Sequence, residues 1–132
     1  MGRFLRAVAG GGIVIFGLVS VASAASDAAA GKESYVLFCT RCHGKSGQGN
    51  GPAGALLATK PRDFTNYARM QAINDQDLVT VIREGGPALR LSKDMPPWGN
   101  ILQEQEIADL VAYIRSFYMP SAESSADSQN YQ

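Results

Sequence analysis

The chain holds two cysteines and one histidine, and all three stand in one pentapeptide, Cys39-Thr40-Arg41-Cys42-His43. Four chemistries use a CxxC pair. A disulfide suits an exported chain, but it would close a very small loop and leave His43 unexplained. Zinc needs about four ligands, and the chain has no further Cys or His. A thioredoxin-like redox pair follows a strand and opens a helix, whose N-terminus lowers the thiol pKa; here the motif closes a helical pattern with no strand before it. The fourth is the attachment of c-type haem by C-x-x-C-H. Thiols three apart in a helical turn reach the two vinyl groups along one porphyrin edge, and His43 is carried under the ring to coordinate iron. As the sole histidine, His43 has no rival as proximal ligand. Only this last chemistry uses all three residues, with Thr40 and Arg41 as spacers.

Three helices are expected to position the motif. Asp27 can cap a helix beginning at Ala28, in which Gly31, Tyr35 and Cys39 share a face with Phe38 and Cys42 beside them. A glycine-rich loop, "GKSGQGNGPAG", follows from Gly44. A second helix is expected from Asp75, with Asn74 as cap, Leu78, Val81 and Ile82 on its apolar face, and Gly85-Gly86-Pro87 as its end. In the third, Ile107, Leu110, Val111, Ile114 and Phe117 or Tyr118 follow helical spacing, with Glu104 and Glu106 near its positive end. No stretch after the leader alternates as a strand would. The expected fold class is all-α with long loops, and loops of such length in a small domain wrap something or carry function.

Length fits one domain. Twelve basic and twelve acidic residues balance, which gives no basic character to point to nucleic acid. Arg3 and Arg6 precede an apolar run, Ala7 to Ala22, with small residues Ala22 to Ala25 after it. Residues 1–25 therefore read as a cleaved secretory signal, or else a retained membrane anchor. The unpaired arginines argue against a twin-arginine signal. Without residues 1–25 the chain keeps ten basic against twelve acidic side chains. Residues 120–132 read as a disordered tail, and 26–119 as the folded domain. At that size a large apolar cofactor would help to complete the core.

Beyond the pentapeptide, the chain resembles a monohaem class I cytochrome c. The likeness lies in "GKESYVLFCTRCHGKSGQGNGP" (31–52), "PRDFTN" (61–66), "MPPWG" (95–99) and "EIADLVAYIRSF" (106–117), spanning nearly all of residues 28–118. It implies a small cytochrome c fold, three main helices and long loops wrapped round one covalently bound haem c. It further implies that Gly31 and Tyr35 face Tyr113, and that the Pro52 carbonyl accepts a hydrogen bond from the second imidazole nitrogen of His43. The family usually has Ser, Thr or Asp where Gln103 stands; Asn100 is the expected substitute cap, with Gln103 closing a box-like contact.

The sixth iron ligand decides function. Met1 leaves with the signal, Met119 stands at the edge of the tail, and Met70 reads as a plain core or surface residue. Met95 stands before Pro96-Pro97, which restrict its backbone to an extended form, as a fixed thioether ligand requires; the alternative is a gap-filling core methionine. His/Met ligation fills the iron and raises its potential. The expectation is thus a periplasmic one-electron carrier, not itself an enzyme, with redox proteins (a dehydrogenase, reductase or terminal oxidase) as partners. A membrane is involved only if the leader is retained. The alternative is a haem enzyme subunit or ligand sensor with a labile sixth ligand. Phe38, Phe64, Leu89 and Leu91 are candidates for the apolar wall, Trp98 for the haem edge, and Lys60, Arg62 or Trp98 for the propionates. Arg41, Lys45, Arg90 and Lys93 would form a basic rim, and Glu104, Glu106 and Asp109 an acidic back; the alternative is that these charges are merely solvated and unrelated to docking.

Overall fold

The computed structural model describes residues 25–119. The expected tail, 120–132, and the expected signal, 1–25 save its last residue, lie outside them. Among the described residues the regular structure is helical throughout: α1 (Ala28–Phe38), α2 (Thr40–His43), α3 (Tyr67–Met70), α4 (Asp75–Glu84) and α5 (Glu104–Ser116), with single 3-10 turns at Gly54–Leu56 and Gly86–Leu89. No helix among them is long and apolar enough to cross a membrane.

Local chemistry sets the helix ends as expected at three of them. The Asp27 side chain accepts from the Ala29 N–H (2.8 Å), and Asn74 from that of Asp77 (2.8 Å), satisfying donors that a first turn leaves without partners. Gly85, at φ +85, ends α4. The cap of α5 is Gln103 itself, not Asn100: the Glu106 carboxylate reaches back to the Gln103 N–H (2.7 Å), half of a capping box.

The first helix and the motif are two helices where the sequence suggests one. Gly31 and Tyr35 are the buried residues of α1, but Cys39 departs to φ −109 as its cap, and α2 begins at Thr40. The Thr40 hydroxyl donates back to the Val36 carbonyl (2.9 Å), a bond known to bend helices. The short α3, absent from the sequence-based expectation, is held by the Asn66 side chain on the Arg69 N–H (3.1 Å).

The core is the crossing of α1 on α5. A β-carbon on Gly31 would lie 1.9 Å from the Asp109 carbonyl oxygen, so only glycine lets the backbones approach this closely. Tyr35, Met70, Ile107 and Leu110 are fully buried around the crossing. Tyr35 meets Tyr113 (5.2 Å between ring centroids) and Phe117 (5.4 Å). The expected Tyr35–Tyr113 facing is present, whereas Gly31 faces Asp109 and Leu110.

Arg115, unremarked in the sequence, ties α5 to the chain between α3 and α4. Its guanidinium donates to the Met70 carbonyl (3.0 Å), the Ile73 carbonyl (2.6 Å) and Asp75 (2.7 Å), and bonds the Tyr118 hydroxyl. Asp109 is buried, contrary to its expected place on an acidic surface. Its carboxylate accepts from the Asp27 N–H (2.7 Å) and the Gln105 side chain (2.9 Å). Glu104 pairs with Arg83, and Glu106 serves the cap, so the acidic back is largely committed within the fold.

Candidate haem site

The motif sits where α1 ends. Cys39 caps α1, Cys42 and His43 finish α2, and the Cys42 and His43 N–H groups both return to the Cys39 carbonyl (3.2 and 2.9 Å). Both cysteines are free thiols and half-buried. Burial, and then the neighbouring Cys42, pushes the Cys39 thiol up to about 12. Gly44, at φ +78, stops α2 directly after the histidine. The buried Tyr35 hydroxyl donates to the Gly44 carbonyl (2.8 Å), fastening this turn to the aromatic core.

The His43 ring stacks on Phe64 (4.5 Å between centroids, 11° between planes). Its Nδ1 lies 3.3 Å from the Arg62 carbonyl oxygen. A carbonyl only accepts, so this bond requires the proton on Nδ1 and leaves the Nε2 lone pair free. Burial lowers the imidazole pKa, with the Arg62 contact partly opposing it, and the neutral ring is the ligating form. The acceptor expected from the family likeness was Pro52. That segment is instead pinned to the carbonyl end of α2, Gly51 N–H on Cys42 (3.1 Å) and Ala53 N–H on Arg41 (2.9 Å). Arg62 contributes a backbone atom, which no side-chain pattern announces. Phe64 is one of the expected wall residues, and it is buried beneath the imidazole.

Met95 lies half-buried in the loop after α4. Its N–H donates to the Ser92 carbonyl (3.3 Å) and its carbonyl accepts from Gly86 (3.0 Å). Met70, expected in the core or on the surface, is wholly enclosed in the core. Trp98 packs on Phe38 (5.2 Å, tilted by 51°), and Leu91 leaves 46% of its surface exposed. Lys60 turns its ammonium onto the Ala55 carbonyl (2.6 Å), folding its own loop. Arg41, Lys45, Arg90 and Lys93 are all exposed.

This donor set fits a covalently held haem. Two unpaired thiols occupy one turn, a neutral imidazole offers Nε2, and aromatic and aliphatic side chains lie on the flanking segments. When bound, the haem supplies an iron that moves between ferric and ferrous states.

Comparison with known proteins agrees. The family model described as "Cytochrome C oxidase, cbb3-type, subunit III" matches residues 26–114. The cytochrome c-554(547) of Halothiobacillus neapolitanus is 39% identical over 93 residues, covering 68% of this chain and 96% of that protein. Among solved structures, the KustC0563 c-type cytochrome superposes with a TM-score of 0.54 at 27% identity, covering 67% of this chain and 98% of its own. A chain of the Kuenenia stuttgartiensis reducing HAO-like protein complex Kustc0457/Kustc0458 gives 0.55 at 27% identity; the match covers 78% of this chain and 44% of that one. The protein belongs to this family of c-type cytochrome domains, with the all-α cytochrome fold and a covalently bound haem c.

Proposed function

We propose that this c-type cytochrome is a one-electron carrier, not itself an enzyme, with its haem joined through Cys39 and Cys42 and its iron held by His43 and Met95. The observation that carries this is the fixing of Met95. Both backbone polar groups of the residue are hydrogen-bonded, and Pro96 restricts it from the other side. A thioether on so constrained a loop makes a permanent ligand, and His/Met ligation closes the iron to substrate while favouring electron exchange. His43 keeps its orientation through Arg62 and Phe64, which is the outer-shell support that ligating histidines use.

Export to the periplasm is supported by the expected leader, residues 1–25. The partners are redox proteins, a dehydrogenase, reductase or terminal oxidase. In support, the matching family model carries an oxidase-subunit description, and one similar structure is part of a reducing complex.

The test is spectroscopic. The oxidised holoprotein should show the weak near-infrared band of sulfur–iron coordination, and the reduced protein should bind CO slowly. Met95→Ala should remove the band, open the iron to CO and lower the reduction potential. Rapid CO binding by the unaltered protein would instead indicate an enzyme or sensor with a labile sixth ligand. Loss of the band in Met70→Ala rather than Met95→Ala would reassign the ligand.

A further inference from the structure

The loop carrying Met95 is built onto the end of α4. A helix leaves its last carbonyls without partners, and here the loop supplies them: Trp98 N–H to the Ile82 carbonyl (2.9 Å) and Gly99 N–H to that of Arg83 (3.0 Å). In return, the Gly86 N–H donates to the Met95 carbonyl (3.0 Å) and the Gly86 carbonyl accepts from Leu91 (2.9 Å). Arg90, the single non-glycine residue at positive φ among the described residues (+57), makes the turn that brings Leu91 back.

Two glycines stand at this junction for different reasons. Gly85, at φ +85 and ψ 170, lies in a region open essentially to glycine alone; a β-carbon there would also lie 3.0 Å from the Met95 carbonyl oxygen and 3.1 Å from the Pro97 nitrogen. Ending a helix asks for one such residue. Gly86 is not at positive φ, so the helix end does not require it to be glycine. The loop does: a β-carbon on Gly86 would fall 2.0 Å from the Ser92 carbonyl oxygen and 3.3 Å from the Met95 β-carbon. The obstacle is backbone, which cannot swing aside as a side chain could.

We propose that Gly85 and Gly86 are positioning residues for the Met95 thioether, forming with the end of α4 the seat that sets where the ligand loop lies. The inference rests on Met95 being the iron ligand. Any side chain at Gly86 lifts residues 92–95 off the seat and moves the sulfur from its place, while the α1–α5 core and the Cys39–His43 segment are untouched.

The experiment compares holoprotein variants. Gly86→Ala should lose most of the near-infrared sulfur–iron band, fall in reduction potential and bind CO faster, with its visible haem absorption otherwise intact. Gly31→Ala is the control for general loosening, because its β-carbon would strike the Asp109 carbonyl at the α1–α5 crossing and none of the ligand loop; it should lower thermal stability and keep the band. Should Gly86→Ala not accumulate as holoprotein, Gly99→Ala decides, since its β-carbon would crowd Arg83 (2.6 Å from Cγ, 2.9 Å from the carbonyl oxygen) at the other side of the same seat. A weakened band in that variant supports the inference. An unchanged band in Gly86→Ala, or in the deciding Gly99→Ala, or an equal loss in Gly31→Ala, overturns it. A band missing from the unaltered protein overturns the ligand assignment first, and the inference with it.

Discussion

Replacing Arg115 by Met keeps most of the apolar stem and removes the guanidinium that binds two carbonyls, Asp75 and the Tyr118 hydroxyl. The partners differ in what they lose. Asp75 is 70% exposed and rehydrates, so its ion pair contributes little. The Met70 carbonyl keeps a second donor, the Ile73 N–H at 3.2 Å. The Ile73 carbonyl is left without its guanidinium donor in a half-buried position. A fully buried acceptor left unsatisfied costs about 1–3 kcal/mol; this one is half-buried and partly rehydrates, so with the smaller losses added the expected destabilisation is about 1–2 kcal/mol. For a domain of this size each kcal/mol lowers Tm by roughly 4–8 °C, which places the variant at least about 4 °C below the parent. Thermal unfolding of the oxidised holoprotein, followed by far-ultraviolet circular dichroism, measures it. Asp75→Asn should cost well under half as much. If Asp75→Asn matched Arg115→Met, the ion pair rather than the carbonyls would be the working contact. A shift below about 3 °C in Arg115→Met would refute both the magnitude and the role.

Tyr35→Phe removes a buried hydroxyl from the Gly44 carbonyl, which still accepts from Gly47 (3.2 Å); the loss should be only about 1 kcal/mol, seen as a small drop in denaturant midpoint with the haem spectrum unchanged. Cys39→Ala or Cys42→Ala should weaken or abolish covalent haem retention, read by haem stain after denaturation, and His43→Ala should prevent a stable holoprotein. If the exposed cations guide docking, association with an acidic redox partner should slow as salt rises. Lys45→Glu with Lys93→Glu should then slow it further without altering the spectrum; a rate indifferent to both would leave these charges without that role.

The sequence by itself determined the haem chemistry and the main helices. Cys39, Cys42 and His43 are legible as the proposed attachment site because thioether linkage demands those residue types at that spacing, and no other Cys or His competes. The caps at Asp27 and Asn74 and the stop at Gly85 are legible because they act within a few residues of themselves. What tertiary structure decided lies in backbone atoms and long-range packing. Which carbonyl meets the His43 ring depended on where two loops lie, and it was Arg62, because residues 51–53 are bound to the end of α2. Asp109 reads as a surface acid on a helical wheel, yet the close approach permitted by Gly31 buries it beside the start of α1. Arg115 looks like an ordinary cation of a last turn until α3 and α4 bring two carbonyls to it. Gly86 reads as part of a helix stop, and only the return of residues 92–95 shows why it has no side chain. Periodicity and spacing report what a residue does to its neighbours in sequence; the partner across the fold is set by how the chain returns.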